Sequence, residues 1–197
     1  IDSVRSIVNT STGRTGWAIA EHLHRMGHDV VCLAGHTSQN PTFSLPDVRF
    51  AESPGGMLEE SIHLAKSIPK PEFWLHAAAV LDYEPEYNDG KMPSGAENWT
   101  IELHSTKKHL QTLKEHVEES RRIGFKLEVG VDEETLISKS MNLISENDLD
   151  AVVANLLDEV NGHSKKRCRI VFSNGAVESI HDLSALCHSI EDIVASN

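Results

Sequence analysis

The sequence centres on one stretch, Phe73-Trp74-Leu75-His76-Ala77-Ala78-Ala79-Val80-Leu81-Asp82-Tyr83-Glu84-Pro85. Its apolar part lies between the Pro69-Lys70-Pro71 breaker and Pro85, and a short bounded run of this kind predicts a strand covered on both faces, as in a parallel sheet. Ligands bind beyond the carboxyl ends of strands in open α/β sheets. The alanines and Asp82 therefore predict a ligand-facing loop, although small residues also let a helix pack closely, and the sequence leaves both interpretations open.

Predicted strands and helices alternate on either side of this stretch. Alternation at this length indicates βαβ units with right-handed crossovers and a mainly parallel sheet. The predicted fold is a Rossmann-like three-layer α/β sandwich. Strands are expected at 29–33, 48–51, 122–127 and 151–155, and helices at 17–26, 57–67, around 110–117, from 132 onward and around 183–194.

Two segments depart from this alternation. Residues 86–104 contain a turn-rich excursion followed by the alternating Trp99, Ile101 and Leu103, which predicts a half-exposed strand. We expect this arm to mediate a homodimer. Segments 169–173 and 176–180 flank Asn174-Gly175, a pair that predicts a hairpin with a type I′ turn. The basic neighbours before it, Lys165, Lys166, Arg167 and Arg169, are expected at a solvated strand edge.

Composition limits the class of protein. A chain of 197 residues with 39% hydrophobic content suits one α/β domain. No apolar run approaches the roughly 20 residues of a membrane span, and no signal pattern opens the chain, so a cytoplasmic protein without membrane contact is expected. A net charge of −12 argues against broad nucleic-acid binding, which requires many cations.

A Ser/Thr/Gly loop at the start of the chain leads into the first predicted helix. Ser11, Thr12, Gly13 and Gly16 would present backbone N–H groups and the positive end of the helix dipole to a phosphate. Ordinary N-capping by Ser11 or Thr12 is the alternative explanation.

Tyr87 and Lys91 match the Tyr-x-x-x-Lys pattern of short-chain dehydrogenases. That pair requires a helix, and the intervening Asn-Asp-Gly makes a poor helix interior. An NAD(P)-binding oxidoreductase of the Rossmann type is therefore an alternative, but the sequence does not predict the helix that its catalytic Tyr and Lys would need. A non-catalytic nucleotide-binding module is a further alternative.

Five strings in order resemble phosphopantothenoylcysteine synthetase in its stand-alone form. The strings cover nearly the whole chain: Ile1 to Gly16 with Asn9 and Ser11, Ala77 to Pro85, Lys91-Met92-Pro93-Ser94, Gly124-Phe125-Lys126-Leu127-Glu128, and Val152-Val153-Ala154-Asn155. The resemblance implies a single nucleotide-binding ligase domain over residues 1–197, with a first strand expected upstream of Ile1.

The resemblance also implies a reaction. The family joins 4'-phosphopantothenate to cysteine in coenzyme A synthesis. The substrate carboxylate attacks the α-phosphate of CTP or ATP and releases pyrophosphate, and the cysteine amine then attacks the acyl-nucleotide and releases the nucleoside monophosphate. Formation of a mixed anhydride divides one difficult step into two easier ones.

Residue roles follow from the same resemblance. Asn9 would donate to the acyl oxygen as charge develops, and Lys91 would meet the triphosphate. Asp82 would bind the ribose or Mg²⁺, with the metal held mainly by the triphosphate. Phe125 would contact the base, although core packing explains it equally well. Ala77 and Ala78 would allow close approach of the nucleotide.

The chain departs from the family at several lysines. Where members show Lys-Ile-Lys-Lys, this chain has Lys91-Met92-Pro93-Ser94, and only Lys139 represents a lysine pair on a later helix. We expect Lys107 and Lys108 to substitute for the missing triphosphate contacts.

Overall fold

A computed structural model describes residues 1–36, 39–95, 97–160, 162 and 165–196. Within these ranges the chain forms nine strands and six α helices. The strands are β1 (Val31–Ala34), β2 (Asp47–Phe50), β3 (Phe73–His76), β4 (Tyr83–Pro85), β5 (Leu103–Ser105), β6 (Arg121–Glu128), β7 (Ala151–Leu156), β8 (Cys168–Phe172) and β9 (Val177–Ile180). The helices are α1 (Arg14–Arg25), α2 (Pro54–Ala65), α3 (His109–Leu113), α4 (Glu133–Asn147), α5 (Leu157–Val160) and α6 (Leu183–Ala195).

A five-stranded sheet in the order β3-β6-β7-β8-β9 forms the centre of the molecule. The pairs β3–β6 and β6–β7 are parallel, whereas β7–β8 and β8–β9 are antiparallel. Strand β7 is the most deeply placed, because Ala151, Val152, Val153 and Ala154 are all fully buried. Its lack of polar residues at these positions is what a strand covered on both faces requires.

Helices cover both faces of this sheet. On one face Ile19 and Leu23 of α1 join Leu186 and Ile190 of α6 in a core cluster with β6, β7 and β8. On the other face Leu136 and Ile144 of α4 pack against Val152 and Val171. The arrangement confirms the predicted three-layer α/β sandwich.

Gly124 lies where α4 and its C-terminal connection approach β6 most closely. A Cβ atom built at this glycine would lie 2.8 Å from Cδ1 of Leu149, a distance below van der Waals contact. Leu149 is itself buried in the α4 cluster. A larger residue at 124 would therefore require the core to move, which close-packed interiors resist.

Strands β1 and β2 form a separate parallel pair. Helix α1 covers this pair as well, because Trp17 and Ala20 pack with Ala34 and Leu45 in a second cluster. The predicted strand at 29–33 begins two residues later in the structure, at Val31, which is 44% exposed. The strand is thus shorter than predicted and only partly buried.

Several other boundaries differ from prediction. The apolar stretch at 73–85 forms only a four-residue, half-buried β3, and Tyr83 to Pro85 form β4 instead of continuing a loop. Strand β5 covers 103–105 and not 99–103. Helix α3 has Lys108 at its N-cap with no side-chain cap, so neither Ser105 nor Thr106 caps this helix. The Thr106 hydroxyl instead donates to the Leu81 carbonyl at 2.6 Å.

The C-terminal hairpin β8–β9 is confirmed, but its turn is of a different type. Gly175 has φ +84°, and its N–H donates to the Phe172 carbonyl at 2.9 Å. Asn174 does not share the positive φ that a type I′ turn needs. The connection is thus a three-residue loop with glycine in the left-handed position, the second commonest hairpin solution.

Of the four basic neighbours of β8, Lys165 is exposed, whereas the other three bind side chains of other elements. Arg169 is 2% exposed and is held by Glu133, at 3.0 Å, and by Glu159. Lys166 also pairs with Glu133, at 3.1 Å, and the two cations hold the pKa of Glu133 at about 2. Arg167 donates to the Thr15 hydroxyl at 2.8 Å. These side chains tie the sheet to α4, α5 and the start of α1.

Candidate active site

The candidate site lies at the edge of the molecule where parallel strands β3 and β6 end. Parallel pairing in register, with His76 opposite Gly124, brings the segments after both strands to the same side. Residues 77–82 leave β3 at this edge, and Ala78 and Ala79 are exposed. The first turn of α1 also lies here, because a Cβ built on Gly16 would be 3.9 Å from the Ala77 side chain. The predicted ligand-facing loop and the predicted phosphate loop are therefore neighbours.

The N-terminus of α1 is open. Its N-cap is Gly13, in the left-handed conformation with φ 79°, and no side chain in the described part of the chain caps this end. The Thr12 hydroxyl accepts only a long hydrogen bond, 3.3 Å, from the Arg14 N–H. The alternative of ordinary capping by Ser11 or Thr12 is thus not realised, and the first turn carries no acidic residue. Both features favour an anion at this helix end.

Asn9 connects the N-terminal segment to the alanine-rich loop. Its side-chain amide donates to the backbone carbonyl of Ala79. This contact orients the amide with its nitrogen directed at the loop after β3. The second N–H of the same nitrogen is then available for another acceptor.

Asp82 forms an ion pair with Lys108 at 2.5 Å. Both side chains are 65% exposed, so the pair contributes little to stability. The Thr106 N–H also donates a hydrogen bond to the Asp82 backbone carbonyl at 2.9 Å, which holds the two segments side by side. The structure thus brings Lys108 to Asp82 and places the exposed Lys107 one residue away.

Lys91 lies in a turn that is locked to the N-terminal segment. The buried carboxylate of Asp2 accepts from the Met92 N–H at 3.0 Å and from Arg5, whose guanidinium also donates to the Met92 carbonyl at 2.8 Å. Arg5 and these N–H donors hold the pKa of Asp2 far below its usual range. Ser3 and Gly90 exchange two further bonds of 3.0 Å. The exposed Lys91 thus stands on a fixed base.

Residues at the end of β6 form a third part of the site. Glu128 accepts from Lys126 at 3.1 Å and from Lys139 of α4 at 2.7 Å, and the two lysines lower its pKa, Lys139 most strongly. Phe125 is partly buried and packs against the α1/α6 cluster. Core packing thus accounts for the partial burial of Phe125.

Four residues of this arrangement were missed as site residues: Asp2, Arg5, Lys126 and Glu128. Asp2 and Arg5 carried a signal, since a carboxylate followed three residues later by an arginine can form a local pair. Lys126 and Glu128 lie two residues apart on β6, on the same face, and Glu128 also binds Lys139 of α4.

The described residues contain no cluster of three or more His, Cys, Asp or Glu side chains suited to a metal ion. Asp82 has Lys108 as its neighbour and not a second carboxylate. Tyr87 and Lys91 lie in turns and not on a helix, so the dehydrogenase pair is not formed. None of the helices described is long and apolar enough to cross a membrane.

With this geometry described, comparison with known proteins identifies the family. A family model for the DNA/pantothenate metabolism flavoprotein C-terminal domain matches residues 1–195. The chain belongs to this family. The matched residues include the start of α1, the alanine-rich loop and the end of β6.

Individual members of the flavoprotein C-terminal domain family are similar to the chain over most of its length. The coenzyme A biosynthesis bifunctional protein CoaBC of Thermococcus kodakarensis is 35% identical over 158 residues, 80% of this chain and 38% of that protein. A DNA/pantothenate metabolism flavoprotein from Streptococcus pneumoniae superposes with a TM-score of 0.85 at 26% identity, covering 100% of this chain and 94% of that one. The C-terminal domain of a CoaBC superposes with a TM-score of 0.77 at 25% identity, covering 100% and 90%. The chain thus spans 38% of the length of the bifunctional relatives.

The Asp2 carboxylate is expected to hold the Lys91 turn in place. In Asp2→Asn an amide NH₂ group replaces one carboxylate oxygen and faces the N–H donors of Arg5 and Met92. The turn that carries Lys91 should therefore open more often. Trypsin should cleave after Lys91 several-fold faster than in the parent protein, as followed by mass spectrometry of the fragments. Asp89→Asn, an exposed acid in the same turn, is the matched control and should not change the rate. Equal cleavage rates in Asp2→Asn and the parent would refute the assigned role.

Proposed function

We propose that this chain is the phosphopantothenate–cysteine ligase of coenzyme A biosynthesis, acting through an acyl-nucleotide. The observation that carries the proposal is the contact of the Asn9 amide with the Ala79 carbonyl, beside the uncapped start of α1. This contact supports a site in which an amide donor, a phosphate-binding helix end and a ligand-facing loop act on one substrate. Family membership and the coenzyme A biosynthesis names of the relatives add support.

In the first step a carboxylate oxygen of 4'-phosphopantothenate attacks the α-phosphorus of the triphosphate. A new P–O bond forms, the bond to the bridging oxygen breaks, and pyrophosphate leaves. The N–H groups of the Ser11 to Gly16 turn would hold phosphate oxygens. Lys91, Lys107, Lys108 and Lys139 would supply the positive charge that the leaving pyrophosphate requires.

In the second step the cysteine amine attacks the acyl carbon. A C–N bond forms, the bond to the nucleotide oxygen breaks, the amine loses its proton, and the nucleoside monophosphate leaves. Negative charge develops on the acyl oxygen during this step. The free N–H of Asn9 would donate to that oxygen, a role for which the Ala79 contact already orients the amide.

The nucleotide would lie along Ala77, Ala78 and Asp82, with its base toward Phe125. CTP and ATP are both compatible with these residues. Because Asp82 contacts a lysine and the described residues offer no metal cluster, we propose that Mg²⁺ binds chiefly to triphosphate oxygens, where it would neutralise charge. No step above depends on a protein-bound metal.

Three further predictions concern the domain, its first strand and its location. Residues 1–197 would form one ligase domain, and the strand expected upstream of Ile1 stays a prediction, as does the cytoplasmic location. The packing of α1 supports the upstream strand. This helix packs on both the five-stranded sheet and the β1–β2 pair, although in the described residues the two sheets are not hydrogen-bonded to each other. One parallel strand between β1 and β3 would join them.

Pyrophosphate release tests the proposed function. The protein is supplied with 4'-phosphopantothenate, cysteine and Mg²⁺, with CTP and ATP in parallel reactions. Release that requires both the triphosphate and 4'-phosphopantothenate is expected. An absence of release with either triphosphate, together with binding of NAD(P)H, would favour the oxidoreductase instead.

Asn9→Ala should separate the two steps. Removal of an oxyanion donor costs about 10²–10³ in rate, so capture of the acyl-nucleotide by cysteine should slow by this factor while the acyl-nucleotide still forms and accumulates. Rapid quenching followed by chromatography measures the intermediate. Gln111→Ala removes an exposed amide on α3 and should behave as the parent. An Asn9→Ala variant as fast as the parent would refute the role.

The arm supports a homodimer. Strands β4 and β5 pair only with each other, and a two-stranded sheet is marginally stable by itself. Tyr83, Tyr87, Trp99 and Leu103 are 57, 62, 45 and 45% exposed, a concentration of large apolar side chains that is typical of an interaction surface. A second copy of the arm would cover them.

Light scattering at micromolar concentration should give twice the chain mass of 21.8 kDa. Leu103→Glu places a charge in the proposed interface and should give the monomer mass. Met26→Glu, at the exposed end of α1, is the control and should remain dimeric. A parent protein with the monomer mass would contradict the proposal.

A further inference from the structure

A group of nitrogen-bearing side chains lies beneath the alanine-rich loop, on the face of the sheet toward α2 and α3. Trp74 of β3 and Arg122 of β6 are register partners. His76 follows two residues after Trp74, on the same face, and its ring stacks on the indole with centroids 6.1 Å apart. His109 begins α3 and lies close enough to act on the charge of His76. These four residues are named the donor cluster.

The donor cluster contains buried N–H groups without acceptors. Arg122 is 6% exposed, and its Nε and Nη1 atoms are buried with no hydrogen-bond partner. The indole Nε1 of Trp74 is buried and unpartnered as well. Buried donors are almost always satisfied in folded proteins, and an unpaired charge is the most costly exception. An acceptor is therefore expected at this place.

The carboxylates nearest to Arg122 are engaged elsewhere. Asp148 forms an ion pair with Lys114 at 2.6 Å. Asp150 accepts from the backbone N–H of Arg122 at 2.7 Å and lies 3.8 Å from Nε of Arg121. Across the described ranges no carboxylate forms an ion pair with the Arg122 guanidinium. Lys114 lowers the pKa of Asp148 most strongly, and Arg122 lies close enough for its charge to lower it further, but the direct partner of Asp148 is Lys114. The Arg122 guanidinium therefore has no direct acidic partner among the described residues.

The two histidines are neutral at neutral pH, so they add no charge to that of Arg122. Burial lowers the pKa of His76 to about 4, and the positive charge of Arg122 acts in the same direction. Burial also lowers the pKa of His109, although its hydrogen bond to the Pro54 carbonyl opposes this. At neutral pH the cluster therefore holds one cation and neutral groups. The four residues of the donor cluster thus carry one positive charge, in a chain whose net charge is −12.

We propose that the donor cluster binds one small inorganic anion, which accepts hydrogen bonds from Nε and Nη1 of Arg122 and from Nε1 of Trp74. A halide or a phosphate oxyanion has this chemistry. The anion would neutralise the guanidinium in the interior and fix the end of β3, since His76 directly precedes Ala77. The proposal does not depend on the ligase activity.

Two measurements on the intact protein test the proposal. Crystals grown in sodium bromide should show an anomalous peak in contact with Arg122 and Trp74. Thermal unfolding is followed at constant ionic strength in chloride, in gluconate, and in gluconate with inorganic phosphate. An anion at about 100 times its Kd should raise Tm by about 5–10 °C over gluconate alone, and the effective salt identifies a halide or an oxyanion.

Variants separate anion binding from general effects on stability. Arg122→Met keeps the length of the side chain and should abolish the dependence of Tm on the anion. Trp74→Phe removes the indole N–H and should weaken it. Arg121→Met is the matched control on the same strand; it loses bonds to Ile193 and Ser196, so its Tm should fall while the anion dependence remains.

A third readout is the NMR titration of His76. A bound anion beside Arg122 should raise the pKa of this imidazole relative to gluconate, and Arg122→Met should remove the difference. An ordered water in place of the anomalous peak, with equal Tm in all three salts, would overturn the proposal. Undiminished anion dependence in Arg122→Met would overturn it as well.

Discussion

Parallel hydrogen bonding between β3, β6 and β7 is the constraint on which the site depends. Because these strands run in the same direction and in register, the chain must leave each of them at the same edge of the sheet. The alanine-rich loop and the end of β6 with Lys126 and Glu128 lie at this edge, and the first turn of α1 lies beside Ala77. The chemistry proposed for the chain is thus assembled from segments far apart in sequence, and the sheet alone sets their spacing.

The strongly periodic parts of the fold were predictable from the sequence. Helices α4 and α6 are preceded by Asp132 and Asp182, whose carboxylates cap the first turns, and the first four residues of β7 are apolar. Weakly bounded parts were not predictable. Strand β3 ended early because the alanines form no ladder with β6. Arg169 is buried because Glu133 and Glu159, on other elements, pair with it. Such partners cannot be inferred from spacing along the chain.

The predicted site residues and the residues that hold them in place differ in how visible they are in the sequence. Asn9, Asp82 and Lys91 were assigned from a resemblance in motifs, and the structure gives each a defined setting. The residues that hold them in place were less visible, since Asp2 and Arg5 act on Met92 across nearly ninety positions. A surface turn becomes a fixed platform for a lysine only through this buried pair. Pre-organisation of this kind reduces the entropy lost when a ligand binds.

Gly124 has a consequence for the reach of the lysine on α4. Because β6 carries no side chain at this position, Leu149 can approach the backbone, and the α4 layer can pack nearer to the sheet than an alanine would permit. Lys139 projects from that layer to Glu128, only four residues along β6 from the glycine. The missing Cβ of Gly124 therefore influences how closely Lys139 approaches the end of β6. The separation between α4 and the sheet thus helps to determine the positive charge available at the site.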